Sequence, residues 1–235
     1  TKNETLTMDK NELLKGKLLT KNIQIIFSNN IIFLSVIGLS VFWGVSQGLM
    51  AVFPSFAKEY LGVTDVFVIN AVIGASGIGI AIGSLIYSKI SKHYIEIGTI
   101  PFSALGMALM IYVSTIVQTP FLLGMSFLVF GIFGGLFVVP LNALIQFNAK
   151  KKVLGTILAG NNWFHSLAMF LMLALTTTVS FYDLDPLNTL YLILLITVIG
   201  TSYTIYKLPQ SLILLFLKRI VGLKYQLEVN GVRNI

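Results

Sequence analysis

The charged residues of this chain sit in short clusters, and the stretches between the clusters are long and apolar. Asn22 to Ala57 carries no charge, and neither do Val66 to Ser88, Ile97 to Ala149, Val153 to Tyr182 or Leu187 to Tyr206. A helix crossing a hydrocarbon core ~30 Å thick needs about 20 such residues, each rising ~1.5 Å. The pattern therefore predicts a first helix over 31–56, where the apolar part of its gap begins, and a second over 66–88. The gap from Ile97 is too long for one crossing and breaks at Gln118-Thr119-Pro120, giving a third helix over 98–117 and a fourth over 120–147. A fifth starts near 157, and a sixth covers 187–206 after the turn residues Asp183, Asp185 and Pro186. Closed β-barrels also span membranes, but they need alternation and these runs are continuously apolar. The expected fold is an all-α membrane protein, a six-transmembrane-helix bundle.

The flanks read differently. Residues 1–30 are polar, with leucines at 13, 14, 18 and 19, and suggest a cytoplasmic loop whose second half is an amphipathic helix. The bundle then occupies 31–207, closed by Leu208-Pro209. The segment 208–224 contains SLILLFLKRIV, too short to cross and suited to an interfacial helix. Residues 225–235 alternate like a strand and suggest the start of a soluble domain. The opening at Thr1 without Met and the stop at Asn234-Ile235 suggest a fragment.

Charge placement gives an orientation. Six spans put both ends and the second and fourth loops on one side. Of the 16 lysines and arginines, all but Lys58 then fall on that side, including Lys89, Lys150, Lys151 and Lys152. Basic residues stay in the cytoplasm, so both ends are expected there, in a bacterial inner membrane. The net charge of +7 is thus a topology signal and an attraction to anionic lipid. No nucleic-acid partner is implied. Composition agrees: 56% of residues are hydrophobic and 11% charged, against about 25% charged in soluble domains. With no cysteine, disulfides and thiolate metal sites are excluded.

None of the six helical interiors contains Asp, Glu, Lys or Arg, which argues against a carboxylate proton relay and against a site here that neutralises a strongly charged substrate. The uncharged polar residues are uneven. The first helix has Trp43 and Gln47 on one face, and the second has Asn70 and Ser76. The fourth has Asn142 and Gln146, and the fifth Asn161, Asn162 and His165. Helices one, two, four and five are expected to face a polar interior, helices three and six to face lipid. Asn and Gln in membranes also serve as interhelical hydrogen-bond glue, His165 could be a buried bonded histidine, and Trp43 could simply pack. Asn142, Gln146, Asn161 and His165 lie near the cytoplasmic ends of their helices, which suits an inner gate as well as a central site. Gly79 with Gly83, and Gly131 with Gly135, form two small-xxx-small pairs that permit close helix approach, either as static packing or as sliding surfaces. Two histidines, no acidic pair and no phosphate loop after a strand leave no catalytic constellation and no expected cofactor or metal.

Several segments resemble a known family. GSLIYSKISK (Gly83 to Lys92) lies where the major facilitator superfamily has its Gly-rich basic loop signature, with Tyr87 and Ser88 where Asp and Arg are usual. Phe42-Trp43-Gly44, Ile95-Glu96-Ile97-Gly98 before Pro101, Val139 to Gln146, and Ala159-Gly160-Asn161-Asn162 are similar to the lysophospholipid transporter branch. That resemblance implies the second half of a 12-helix fold, a missing N-terminal six-helix bundle, and a cavity lined by the first, second, fourth and fifth helices here. It implies a lysophospholipid substrate moved between the two bundles by alternating access. The tail LPQSLILLFLKRIVGLKYQLEVNG resembles the junction into a fused glycerophospholipid acyltransferase, whose His-x4-Asp motif is not in this chain. Two other readings stay open: a membrane anchor for such an acyltransferase, and a facilitator for another amphiphile such as a drug.

Overall fold

The computed structural model describes residues 24–91 and 94–208. The expected amphipathic helix before residue 24, the interfacial helix and the strand after 208 lie outside the described residues.

Six helices follow one another: α1 (Asn30–Leu61), α2 (Val66–Ile90), α3 (Thr99–Ile116), α4 (Pro120–Asn148), α5 (Leu154–Phe181) and α6 (Pro186–Lys207). All six are long and apolar enough to cross a membrane. Their starts carry the residues that satisfy free N–H groups. The Asn29 side chain accepts from the Ile31 and Ile32 amides at 3.0 and 3.3 Å. Asp65 accepts from Phe67 N–H at 2.8 Å, and Asp185 from Leu187 N–H at 2.8 Å. Pro120 and Pro186 each occupy a first helical position, where no N–H is needed. The chain leaves α1 through Gly62 at φ +63°, a left-handed conformation that glycine adopts without penalty.

The observed α1 runs five residues past its expected end and takes in Lys58 and Glu59, both exposed. A charge ends the apolar run but not the backbone ladder, because a long side chain can carry its head to the polar zone. Hydroxyls inside the helices bond back to their own turns, as in Ser40 to the Val36 carbonyl, Ser84 to Ile80 and Thr197 to Ile193.

The helices divide between two compact units, with two of the divisions at the helix-interior prolines Pro54 and Pro140. The first unit holds residues up to Pro54 together with Leu141–Thr189. Its core includes the α1 stripe Ile32, Val36, Leu39, Phe42, Val45, Leu49 and Val52, at steps of three or four, with Ile145 and Ile157. α1 approaches α5 at Gly44, where a Cβ would lie 3.3 Å from the Ala168 carbonyl oxygen.

The second unit holds Ser55–Pro140 together with residues from Leu190 on. Its centre is a glycine seam between α2 and α4. A Cβ on Gly79 would run into the Leu128 carbonyl and come within 2.9 Å of the Gly131 Cα. One on Gly83 would strike the Ile132 carbonyl, one on Gly131 the Ser76 carbonyl, and one on Gly135 the Ile80 carbonyl with the Ser84 nitrogen at 2.6 Å. These obstacles are backbone atoms, which cannot swing aside. α3 joins through Gly106, whose missing side chain makes room for the Phe133 ring. Thr201 of α6 donates to the Ala104 carbonyl of α3 at 3.1 Å.

α3 departs from its expected lipid-facing role. Its exposed face is apolar apart from one phenol (Phe102, Leu105, Leu109, Tyr112, Ile116), yet 56% of its most apolar stretch is buried, as much as in α1. Ser103, Ala104 and Gly106 give it a thin inner face, so it packs as deeply as α1 and more deeply than α2 or α5.

The seam predicts an asymmetry along one helix. Gly79→Ala or Gly131→Ala should destabilise the protein by about 1–3 kcal/mol through overpacking against backbone. Gly74→Ala and Gly77→Ala, on the same α2 with nothing within 4 Å of the added carbon, should be neutral or gain up to about 1 kcal/mol of helix propensity. Thermal unfolding in detergent distinguishes the two pairs, and equal shifts would remove the seam from the account.

Candidate functional site

All seven polar or aromatic positions singled out on α1, α4 and α5 fall in the first unit: Trp43 and Gln47 on α1, Asn142 and Gln146 on α4, Asn161, Asn162 and His165 on α5. The four seam glycines all fall in the second. Within the first unit the positions separate by depth. Asn161 is buried, at 3% exposure. Trp43, Gln47, Asn142 and His165 are half-buried, while Gln146 and Asn162 are exposed.

The Trp43 indole and the His165 imidazole face each other at 6.4 Å between centroids, tilted by 40°. This contact lies beside the close approach of Gly44 to Ala168, so the small residue next to Trp43 brings the two helices together. The Phe42 ring braces the indole edge-on at 5.3 Å. Asn161 and His165, one turn apart, share a face of α5. The Asn161 Oδ1 and His165 Nε2 atoms are both enclosed, and neither has a hydrogen-bond partner. So is the Ser46 hydroxyl on α1. An enclosed polar atom without a partner costs on the order of 1–3 kcal/mol. Among the described residues the second unit holds two, the Tyr87 hydroxyl and Ser103 Oγ, and the first holds three, of which Asn161 Oδ1 and His165 Nε2 lie one turn apart on one helix.

The adjacent asparagines therefore have different environments. Asn161 points to the packed side of α5 with Met172 and Thr176, which are also buried. Asn162 lies on an exposed strip with Ser166, Thr177 and Ser180, within about 60° of arc at ~100° per residue, a strip polar apart from the exposed Leu173. Beside that strip runs an apolar exposed one: Trp163, Leu167, Phe170, Leu171 and Phe181. α2, in the second unit, has the same division. Asn70, Gly74, Gly77, Ala81 and Ser88 form a small and polar exposed strip, and Ile78, Ile82 and Ile86 an apolar one. Ser76, read from sequence as a lining residue, is instead buried, its carbonyl set against Gly131 in the seam.

Sequence reasoning passed over three positions. Gly44 carried a signal in its four-residue spacing to Gly48, which is also buried. Gly106 and Ser46 carried none, because a lone small residue becomes informative only when its neighbour is known. At the end of α2, Tyr87 is 3% exposed and lies beside Ser91 and Glu96 without a hydrogen bond of ordinary geometry from its hydroxyl. Glu96 is buried in the following turn, where its carbonyl accepts from the Thr99 hydroxyl at 2.7 Å.

Comparison with known proteins bears on this arrangement. The chain is 29% identical over 150 residues to the lysophospholipid transporter LplT of Photorhabdus laumondii, covering 62% of this chain and 36% of that protein. It is 33% identical over 147 residues to LplT of Serratia proteamaculans (60% and 35%) and 33% identical over 153 residues to LplT of Cronobacter sakazakii (60% and 36%). The chain thus spans about a third of the length of the curated relatives it matches. No solved structure matches it. The profile of the Major Facilitator Superfamily matches residues 2–173, most of the six-helix region. With six spanning helices, no charge in their interiors and two of them carrying exposed polar strips, this chain belongs to the Major Facilitator Superfamily.

Proposed function

We propose that this chain is the C-terminal six-helix half of a lysophospholipid transporter, working by alternating access with an N-terminal six-helix bundle in a bacterial inner membrane, both ends cytoplasmic. The observation that carries the reading is the surface of α5. It is long and apolar enough to span, yet 11% of its most apolar stretch is buried, and one exposed strip is polar. Lipid tails suit Phe170 and Leu171 but leave Asn162 and Ser166 without partners, and polar groups at membrane depth belong against protein or a hydrated path. α2, 22% buried in its most apolar stretch, repeats the pattern with Asn70. A half-covered helix of this kind calls for a further protein partner or a hydrated path beside it, and facilitator halves rock about a shared site.

An uncharged passage suits an amphiphile whose charged headgroup need not be neutralised midway. The relatives' description as lysophospholipid transporters supplies the substrate class. Trp43, Gln47, Asn142, Gln146, Asn161, Asn162 and His165 are the proposed path or gate residues, and Gly79, Gly83, Gly131 and Gly135 are helix-packing glycines. On this reading the chain moves substrate and does no catalysis, and the resemblance of its tail supports an acyltransferase on the same polypeptide that consumes the delivered lysolipid.

Two measurements test this. The complete transporter in proteoliposomes should move a fluorescent lysophospholipid across the bilayer, and Asn142→Ala should slow that movement about three- to tenfold, the worth of one hydrogen bond, without lowering insertion. Movement of a cationic drug but no lysophospholipid would overturn the substrate class. Because the chain has no cysteine, single cysteines replacing Lys150 and Asp183 can be labelled cleanly. They should react from opposite sides of the membrane, Lys150 from the cytoplasm, and labelling from one side would overturn the topology.

A further inference from the structure

We propose that Asn161 and His165 form a subsite for the free glycerol hydroxyl of a lysophospholipid, so that this half of the transporter distinguishes lysolipid from its diacyl parent. The inference rests on the lysophospholipid reading above and names what in the substrate is recognised.

Asn161 is 3% exposed, and its Oδ1 has no partner. One turn further along the same face, the His165 Nε2 is also enclosed and unpaired. Polar atoms held this way in a spanning helix favour a ligand group that completes them. The pair offers one acceptor, the amide oxygen, and one ring nitrogen able to donate. The complement of an acceptor beside a donor is a group that does both, which is an alcohol. Its hydrogen goes to Oδ1, and its oxygen accepts from Nε2–H.

Other groups fit less well. An ammonium brings three donors and a charge, and α5 has no carboxylate to meet it. A phosphate needs cationic donors, and α5 has no Lys or Arg. A lysophospholipid carries its alcohol on the glycerol carbon that has lost its acyl chain. In the diacyl lipid that oxygen belongs to an ester, which accepts but cannot donate, so Oδ1 would stay unpaired and the second chain would have to enter the same space. The Trp43 ring, 6.4 Å from the imidazole, gives the adjoining glycerol carbons a flat apolar wall.

The test compares three substrates in proteoliposomes of the complete transporter: a lysophospholipid, its analogue with hydrogen in place of the free hydroxyl, and the corresponding methyl ether. The unaltered transporter should prefer the lysolipid over both analogues by about ten- to a hundredfold, the range expected when enclosed polar groups lose their partner. Asn161→Leu and His165→Phe should lower transport of the lysolipid far more than that of the deoxy analogue, reducing the preference to about twofold or less. His165→Gln, whose amide nitrogen can donate, should keep most of it. Equal transport of lysolipid and deoxy analogue by the unaltered protein would overturn the subsite and leave the lysophospholipid transporter standing. Equal losses on both substrates in Asn161→Leu and His165→Phe would also overturn it, by making the pair structural. If the unaltered transporter moves neither lysolipid nor analogue, the functional reading falls and the subsite with it.

Discussion

A bilayer core offers no hydrogen-bond partner and little solvation to an ion, and each level of this structure answers to that deficit. Backbone amides must close on their own helix, so uncharged runs become helices and the charges collect where the helices end. The same deficit explains the hydroxyls of Ser40, Ser84 and Thr197, which bond back to carbonyls in their own turns. It also makes the unpaired atoms of Asn161, His165 and Ser46 conspicuous.

Apolar surface does not drive helices together when the surrounding lipid is equally apolar; contact distance and polar pairing do. The second unit relies on contact distance. Gly79, Gly83, Gly131 and Gly135 let backbones touch over two turns of α2 and α4, and Gly106 lets a phenyl ring close the gap to α3. The first unit uses the device sparingly, at Gly44, and keeps instead the polar and aromatic side chains around Trp43 and His165. Rigidity and chemistry are thus concentrated in different parts of the chain.

α2 and α5 carry the link from packing to function. Each has a packed face, an apolar exposed face and a polar exposed face, so each suits three neighbours: its own unit, lipid, and something hydrated or proteinaceous. A helix meant only as an anchor has no use for the third. This distinction favours transport over anchorage, and it follows from where Asn70, Asn162 and Ser166 lie around their axes rather than from their presence in the sequence.

The six spans were legible to within a few residues, because exclusion of charge from hydrocarbon acts on each residue separately and needs no knowledge of neighbours. The break at Pro120, the turn ahead of the sixth helix and the small-xxx-small pairs of α2 and α4 were legible for the same local reason. How each helix is turned about its axis was not. Sequence spacing places Asn161 and Asn162 about 100° apart, but it could not say that the first is enclosed and the second exposed. It did not show that Ser76 belongs to the seam, or that α3, poor in polar residues, packs as deeply as α1. Rotation and depth depend on which surfaces meet, a property of pairs of helices distant in the chain, and only the tertiary structure contains those pairs.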